Sequence, residues 1–151
     1  MEELLRLTAV GLISGLFSSF IAYRSHQRKR WWEMRVAAYQ ELIHALSDLL
    51  HTADTYLEAH YDQQDLTSEA KQRISRIRSE QYPKIRRAAD SGAFLFSHTV
   101  CESLKKFMTQ EDDEKYSSII NLENEYGRAK ACLEAVVTAS KKDLSTRWWW
   151  L

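Results

Sequence analysis

An uncharged run from Leu7 to Tyr23 (LTAVGLISGLFSSFIAY) is followed at once by Arg24, Arg28, Lys29 and Arg30. Wound as an α-helix it measures about 25 Å, or about 30 Å if it starts at Leu4 and Arg6 reaches back to the headgroups. That length matches the hydrocarbon thickness of a bilayer. A secretory signal would carry its bases ahead of the apolar run and a small-residue cleavage site behind it. Here Glu2, Glu3 and a lone Arg6 come first, the basic cluster comes last, and no A-x-A-like site is present. A buried core helix would show a polar face, and Thr8, Ser14, Ser18 and Ser19 make only a weak one. The pattern predicts an uncleaved transmembrane helix with the lipid bilayer as its first partner.

Orientation follows from the distribution of bases. Lys and Arg next to a span are retained on the cytosolic side, which places the N-terminus outside and everything after Tyr23 in the cytosol. The expectation is a single-pass protein of the cell membrane. Within the span, Gly11 and Gly15 form a G-x-x-x-G pair that Ser19 extends, and Ser14, Ser18 and Ala22 form a second small row. Small residues let two helix backbones approach closely, so Gly11, Gly15 and Ser19 are the candidate helix–helix association face of a homo-oligomer. The alternative is that they face lipid with no partner.

The chain of 151 residues then divides into a tail and span (1–23), a basic juxtamembrane segment (24–30), a cytosolic domain (31–147) and a Trp-rich tail (148–151). Four glycines and one proline are too few for a β-rich architecture, whose turns need such residues every 8 to 12 positions. Cys101 and Cys132 have no paired spacing and are expected to pack as small hydrophobes. From Trp31 to Leu66, seven acids face the single base Arg35, whereas Thr67–Ser91 holds seven bases against three acids. Adjacent segments of opposite sign suit neighbouring antiparallel helices and make nucleic-acid binding an unneeded explanation of the basic stripe.

Trp32, Val36, Tyr39, Ile43, Leu46, Leu50, Ala53 and Leu57 recur at alternating spacings of four and three, and Leu42, Leu49 and Tyr56 widen the stripe. No glycine or proline interrupts from Tyr23 to Tyr61. The first helix is therefore expected to continue from the span with a coiled-coil-like pattern. Residues 62–68 read as a turn with Thr67 or Ser68 as N-cap. A second helix to about Asp90 should bury Ile74, Ile77, Ile85, Ala88 and Ala89 and be kinked or split by Pro83. Ser97 should cap a short third helix burying Val100, Cys101, Leu104 and Phe107. The acids Glu111–Glu114 should open a fourth, burying Ile119, Leu122, Tyr126, Ala129, Leu133, Val136 and Ser140, with Gly127 its weak point. The fold class is all-α: a transmembrane helix continuous with an antiparallel four-helix bundle.

An even number of helices returns the chain to its start. The Phe94–Phe96 loop and Trp148, Trp149 and Trp150 should then lie at the bilayer with Trp31 and Trp32. Indole rings prefer the headgroup zone, so these tryptophans, with Arg24, Arg28, Lys29 and Arg30, are the candidate membrane-interface residues. The alternative is that the last three tryptophans pack on the bundle or on a partner.

No catalytic constellation emerges. Glu41-Leu-Ile-His44 has the Glu-x-x-His spacing of di-iron bundles, but that chemistry needs a second such motif and two more inward carboxylates. Both residues fall outside the apolar columns. His51 also falls on the outer face, His60 in the turn region, and His98 at the start of the third helix without an evident acid partner. No catalytic residue, metal site or cofactor is expected, and the chain is not expected to be an enzyme. Three stretches, Ala38-Tyr39-Gln40-Glu41-Leu42, Gly92-Ala93-Phe94-Leu95-Phe96-Ser97 and Lys142-Asp143-Leu144, resemble a set of uncharacterised bacterial single-pass membrane proteins. The resemblance implies an anchored helical bundle in a bacterial inner membrane and lends no activity. The expected function is an oligomerising scaffold or adaptor that presents its bundle to a cytosolic protein partner. The alternative is a membrane-perturbing effector, a toxin or defence component, or its regulator.

Overall fold

The computed structural model describes residues 2–109 and 118–145, with the side chains of residues 2–14, 16, 91, 93 and 118 outside that description. The described residues form four α-helices and no strand: α1 (Glu2–Tyr61), α2 (Ser68–Ser91), α3 (His98–Thr109) and α4 (Ser118–Asp143). A short 3-10 turn, Gly92–Phe94, joins α2 to α3. The chain divides into two compact units, Met1–Met34 and Arg35–Leu151. Helix α1 contributes to both.

In the first unit, the uncharged run lies within α1. Among the described residues no helix is long and apolar enough to cross a membrane. Most side chains of the Leu7–Tyr23 run lie outside the described residues. Those described at its end, Phe17, Phe20, Ile21 and Tyr23, are 53–66% exposed.

In the second unit, α1 ends because the chain turns left-handed. Gln63 adopts φ 54, and Asp62 and Gln64 donate back to the carbonyls of Glu58 and Ala59, at 2.9 Å each. This satisfies carbonyls that the helix end would leave unbonded. Thr67 caps α2 as expected, its hydroxyl accepting from the Ala70 amide at 3.2 Å. Pro83 does not split α2, which runs unbroken to Ser91. Pro83 lies on the exposed side, where water can serve the carbonyl it leaves without a donor.

Gly92 is where the chain needs a missing side chain. A Cβ there would lie 2.6 Å from Cδ2 of Phe96. Phe96 cannot easily retreat, since it is buried and meets Tyr39 edge-on at 4.9 Å between ring centroids. The amides of Leu95 and Phe96 both donate to the Gly92 carbonyl, closing the turn.

The core joins all four helices: Tyr39, Leu42, Ala45, Leu46 and Leu49 of α1, Ile85 and Ala89 of α2, the α3 stripe, and Ala129, Cys132 and Val136 of α4, with Phe96 at its end. Val100, Cys101, Leu104 and Phe107 are buried as the α3 spacing predicts. Two stripes differ from expectation at particular positions. On α1, Tyr39, Leu42, Leu46, Leu49, Ala53 and Leu57 are buried as expected, but Ala45 and Thr52 are buried as well, whereas Ile43 and Leu50 are only partly covered and Trp32 is exposed. A bundle helix touches partners on two sides, so its covered face is broader than a two-stranded seam. Thr52 tolerates burial because its hydroxyl donates to the Leu49 carbonyl at 2.8 Å. On α4 the buried line is Glu125, Ala129, Cys132, Val136 and Ser140, with Ile119, Leu122, Tyr126 and Leu133 half-buried beside it. The predicted acidic start at Glu111–Glu114 lies outside the described residues.

Contacts fix the helix directions. Tyr39 and Tyr61 of α1 bond Asp143 and Glu123 of α4, so these two helices run antiparallel. Asp48 of α1 accepts from Gln81 of α2 at 2.9 Å, and Arg35 reaches the turn after α2, so α1 and α2 run antiparallel as well. The start of α1 in this unit, the 92–97 turn and the end of α4 thus share one end of the bundle.

Candidate functional site

That shared end carries a compact polar cluster. Arg35 donates from Nε to the Leu95 carbonyl at 2.9 Å and places Nη2 3.4 Å from Oδ2 of Asp143. The Tyr39 hydroxyl donates to the same carboxylate oxygen. Tyr39 is almost fully buried, and that burial, with the neighbouring Asp143 carboxylate, pushes its phenol up to about 12. The cluster therefore holds a protonated phenol, a carboxylate and a guanidinium that satisfy one another. Tyr39, Leu95–Phe96 and Asp143 belong to the three stretches Ala38–Leu42, Gly92–Ser97 and Lys142–Leu144, which are far apart in sequence and meet here. Their chemistry is that of a clamp: three chain segments are tied where the bundle begins and ends.

A second cluster was invisible in the pattern of apolar columns. Glu125, only 8% exposed, pairs with Arg78 through Oε2 and accepts the Tyr82 hydroxyl on Oε1 at 2.6 Å. Burial alone would lower the Arg78 guanidinium, and the Glu125 carboxylate more than reverses that. Burial and the Glu125 bond push the Tyr82 phenol up to about 12. A general base needs a lone pair directed at a substrate-sized space. Both Glu125 oxygens are engaged with protein donors, so the arrangement is built to hold α2 against α4. The available signal was a carboxylate four residues before Ala129, on the line continued by Cys132 and Val136.

The residues expected at the membrane or at a helix contact lie in the first unit, outside the described residues or, for Phe94–Phe96, in the second unit, where Phe94 is exposed but Phe96 is buried against Tyr39. Gly15 and Ser19 are exposed, and a Cβ on Gly15 would meet nothing within 4 Å. Gly11 lies outside the described side chains, and Trp148, Trp149 and Trp150 lie outside the described residues. Arg24, Arg28, Lys29 and Arg30 are exposed, with Lys29 3.9 Å from Glu33 one turn on. Trp31 and Trp32 are 37% and 39% exposed.

Glu41 and His44 are exposed, and among the described residues no group of His, Cys, Asp or Glu is placed to hold a metal ion. His60 stands in the last turn of α1 rather than in a loop. His98 does have an acid near it: Glu102 lies 3.5 Å away on the next turn, both side chains largely in solvent. Cys101 and Cys132 are both buried free thiols, and burial raises Cys132 to about 11, which removes its nucleophilic form at neutral pH. An open groove of about 470 Å³ runs between α3 and α4, lined by Lys106, Phe107, Asn124, Gly127 and Cys132 among others. No family model matches the chain, and neither curated proteins nor solved structures include a match to it.

Proposed function

We propose that this chain is a non-enzymatic single-pass membrane protein, N-terminus outside, whose cytosolic bundle is an oligomerising scaffold or adaptor for a protein partner. The observation that carries the reading is the uncharged Leu7–Tyr23 run closed by Arg24, Arg28, Lys29 and Arg30. Exposed aromatic and aliphatic side chains at the end of that run support it, because large apolar groups left uncovered by the protein's own core are natural lipid contacts. Two clamps whose carboxylates are tied to side chains of the bundle itself support a role in presenting a surface rather than in chemistry.

The experiment combines carbonate extraction of membranes with C-terminal topology reporters. The expected result is a chain retained in the carbonate pellet, fluorescent as a cytosolic fusion and inactive as a phosphatase fusion across the membrane. Extraction by carbonate removes the anchor, and the opposite reporter pattern reverses the orientation. Collapse of membrane potential during controlled expression would replace the scaffold with the effector reading.

A further inference from the structure

The two ends of the bundle differ in charge. At the end tied by Arg35 and Asp143, residues 35–42 of α1, 84–91 of α2, 98–105 of α3 and 136–143 of α4 hold seven bases and four acids. Arg35 and Asp143 pair with each other. That leaves Lys84, Arg86 and Arg87 of α2, Lys105 of α3, and Lys141 and Lys142 of α4. Against these six bases stand Glu41, Asp90 and Glu102, and all nine side chains are exposed. At the opposite end, residues 54–75 and 118–125 hold two bases and seven acids.

The bases of the first end are spread around three helices and interspersed with acids, so no one side of the bundle is basic. A flat surface met end-on responds instead to height along the axis. Lys84, the deepest of the α2 bases, stands about 10 Å from the last residue of its helix at the helical rise. Long basic side chains extend along apolar surface toward a polar boundary, and 10 Å is about the screening length at 0.1 M salt. The excess of bases is therefore felt at this end as a collar.

The same end holds out Phe94, which is 68% exposed, and no other large apolar side chain described is more so. Its turn is built to do this. The Leu95 and Phe96 amides close on the Gly92 carbonyl, Arg35 bonds the Leu95 carbonyl, and Phe96 packs inward on Tyr39. One phenylalanine anchors the turn and the other is left in solvent.

We propose that this end of the bundle docks on anionic lipid headgroups, with Phe94 entering the apolar boundary and the collar of bases lying over the phosphates. Apolar insertion and attraction of bases to an anionic leaflet reinforce each other. The inference rests on the membrane reading in one respect: an anchor ahead of Arg35 keeps this end close to the cytosolic leaflet, which is the anionic one. The acidic end is repelled by the same surface and is turned toward the cytosol, where a protein partner can reach it.

The test uses the full chain in vesicles whose headgroups carry a spin-label quencher, made of neutral phosphatidylcholine alone or of phosphatidylcholine with phosphatidylglycerol. A fluorophore on Thr99→Cys reports the basic end, and one on Asp62→Cys the acidic end. Both positions are exposed, whereas the native Cys101 and Cys132 are buried. The Thr99 probe should be quenched in anionic vesicles at low salt and recover in neutral vesicles or at high salt. The Asp62 probe should stay bright throughout. Lys141→Gln with Lys142→Gln should lower the ratio of docked to undocked chains about tenfold, and Phe94→Ser should lower it without removing the salt dependence. In a chain that floats with both vesicles, a Thr99 probe quenched equally in the two, or in neither, overturns the docking and leaves the anchor. Quenching unmoved by either substitution, or equal for the two probes, overturns it as well. A chain that floats only with anionic vesicles, its Thr99 probe quenched, keeps the docking and loses the anchor. A chain that floats with neither loses both.

Discussion

Helix α1 passes through both units, yet its two stretches use side chains in opposite ways. Before residue 35, Phe17, Phe20, Ile21 and Tyr23 are exposed and are followed by exposed bases. After it, Tyr39, Leu42, Leu46 and Leu49 are buried, and the exposed charges are acids. Both stretches are rich in apolar residues and both are helical. The difference lies in arrangement. The first has apolar groups on every side, which no single packed face can cover. The second repeats them every three or four positions, along one face that a bundle can cover. Helix formation and core formation are thus separate decisions written in the same chain.

The sharpest way to break this contrast is to truncate one large side chain in each stretch. Leu46 is fully buried, and Leu46→Ala should cost about 2–5 kcal/mol, the range for a leucine removed from a close-packed core. Ile21→Ala should leave the unfolding of the bundle unmoved. Urea unfolding of the full chain in detergent, followed by circular dichroism, measures both. Equal destabilisation would mean that the first unit has a core of its own.

Much of this was legible beforehand, and the misses share a cause. Helix number, the Thr67 cap and the α3 stripe follow from local chemistry: a hydroxyl before a helix and apolar groups at helical spacing. The apolar columns of α1 and α4 omit Ala45, Thr52 and Glu125 because these residues carry no apolar signal of note. Thr52 and Glu125 become buriable only through partners, the Leu49 carbonyl for one and Arg78 and Tyr82 for the other. The Tyr39–Asp143 clamp spans nearly the whole bundle domain in sequence, and no local rule links its ends.

The Glu125 cluster offers the next largest effect. Arg78→Ala leaves a carboxylate in a low-exposure site with one of its charge-assisted bonds gone. The expected loss is about 1–3 kcal/mol, from the cost of an unsatisfied buried acceptor. Replacing Arg78 and Glu125 together by Met and Leu should recover most of it, because an apolar pair needs no partner. No recovery in the double variant would mean that Arg78 acts mainly by packing its methylenes.

Alkaline pH separates the two units by another route. Tyr39 and Tyr82 ionise near 10 in an unfolded chain and are raised to about 12 in the bundle. A group raised on folding gives its full stabilisation below the unfolded value and loses it as pH rises through the folded one. The Cys132 thiol, raised by burial from 9 to about 11, acts in the same direction. The bundle should therefore keep its urea midpoint up to about pH 9 and lose stability between about 9 and 12, the two tyrosines acting from about 10 upward. Tyr39→Phe with Tyr82→Phe should flatten that slope while lowering the neutral midpoint, since Asp143 and Glu125 each lose a donor. An unchanged slope would assign the alkaline sensitivity to the buried Cys132 thiol instead.

The smallest effect is also the most discriminating, because the same substitution can be made in each unit. Gly15 and Gly127 both sit inside helices with a negative backbone φ, and at each a Cβ would meet nothing within 4 Å. Alanine is favoured over glycine in a helix interior by about 0.8–1.0 kcal/mol. At Gly127, on the solvent side of α4, that preference should appear directly as a gain in bundle stability of up to about 1 kcal/mol. At Gly15 it should not register in bundle unfolding, because the residue lies outside the cooperative core. Its effect there depends on what faces the helix. If Gly11, Gly15 and Ser19 bring two spans into backbone contact, the new methyl group separates them, and dimers of the full chain in micelles should weaken. If they face lipid, dimerisation is unaltered and the small row is incidental. A Gly15→Ala chain with unchanged association would place any oligomer contact elsewhere in the chain, and Gly127→Ala would report only on the helix that carries it.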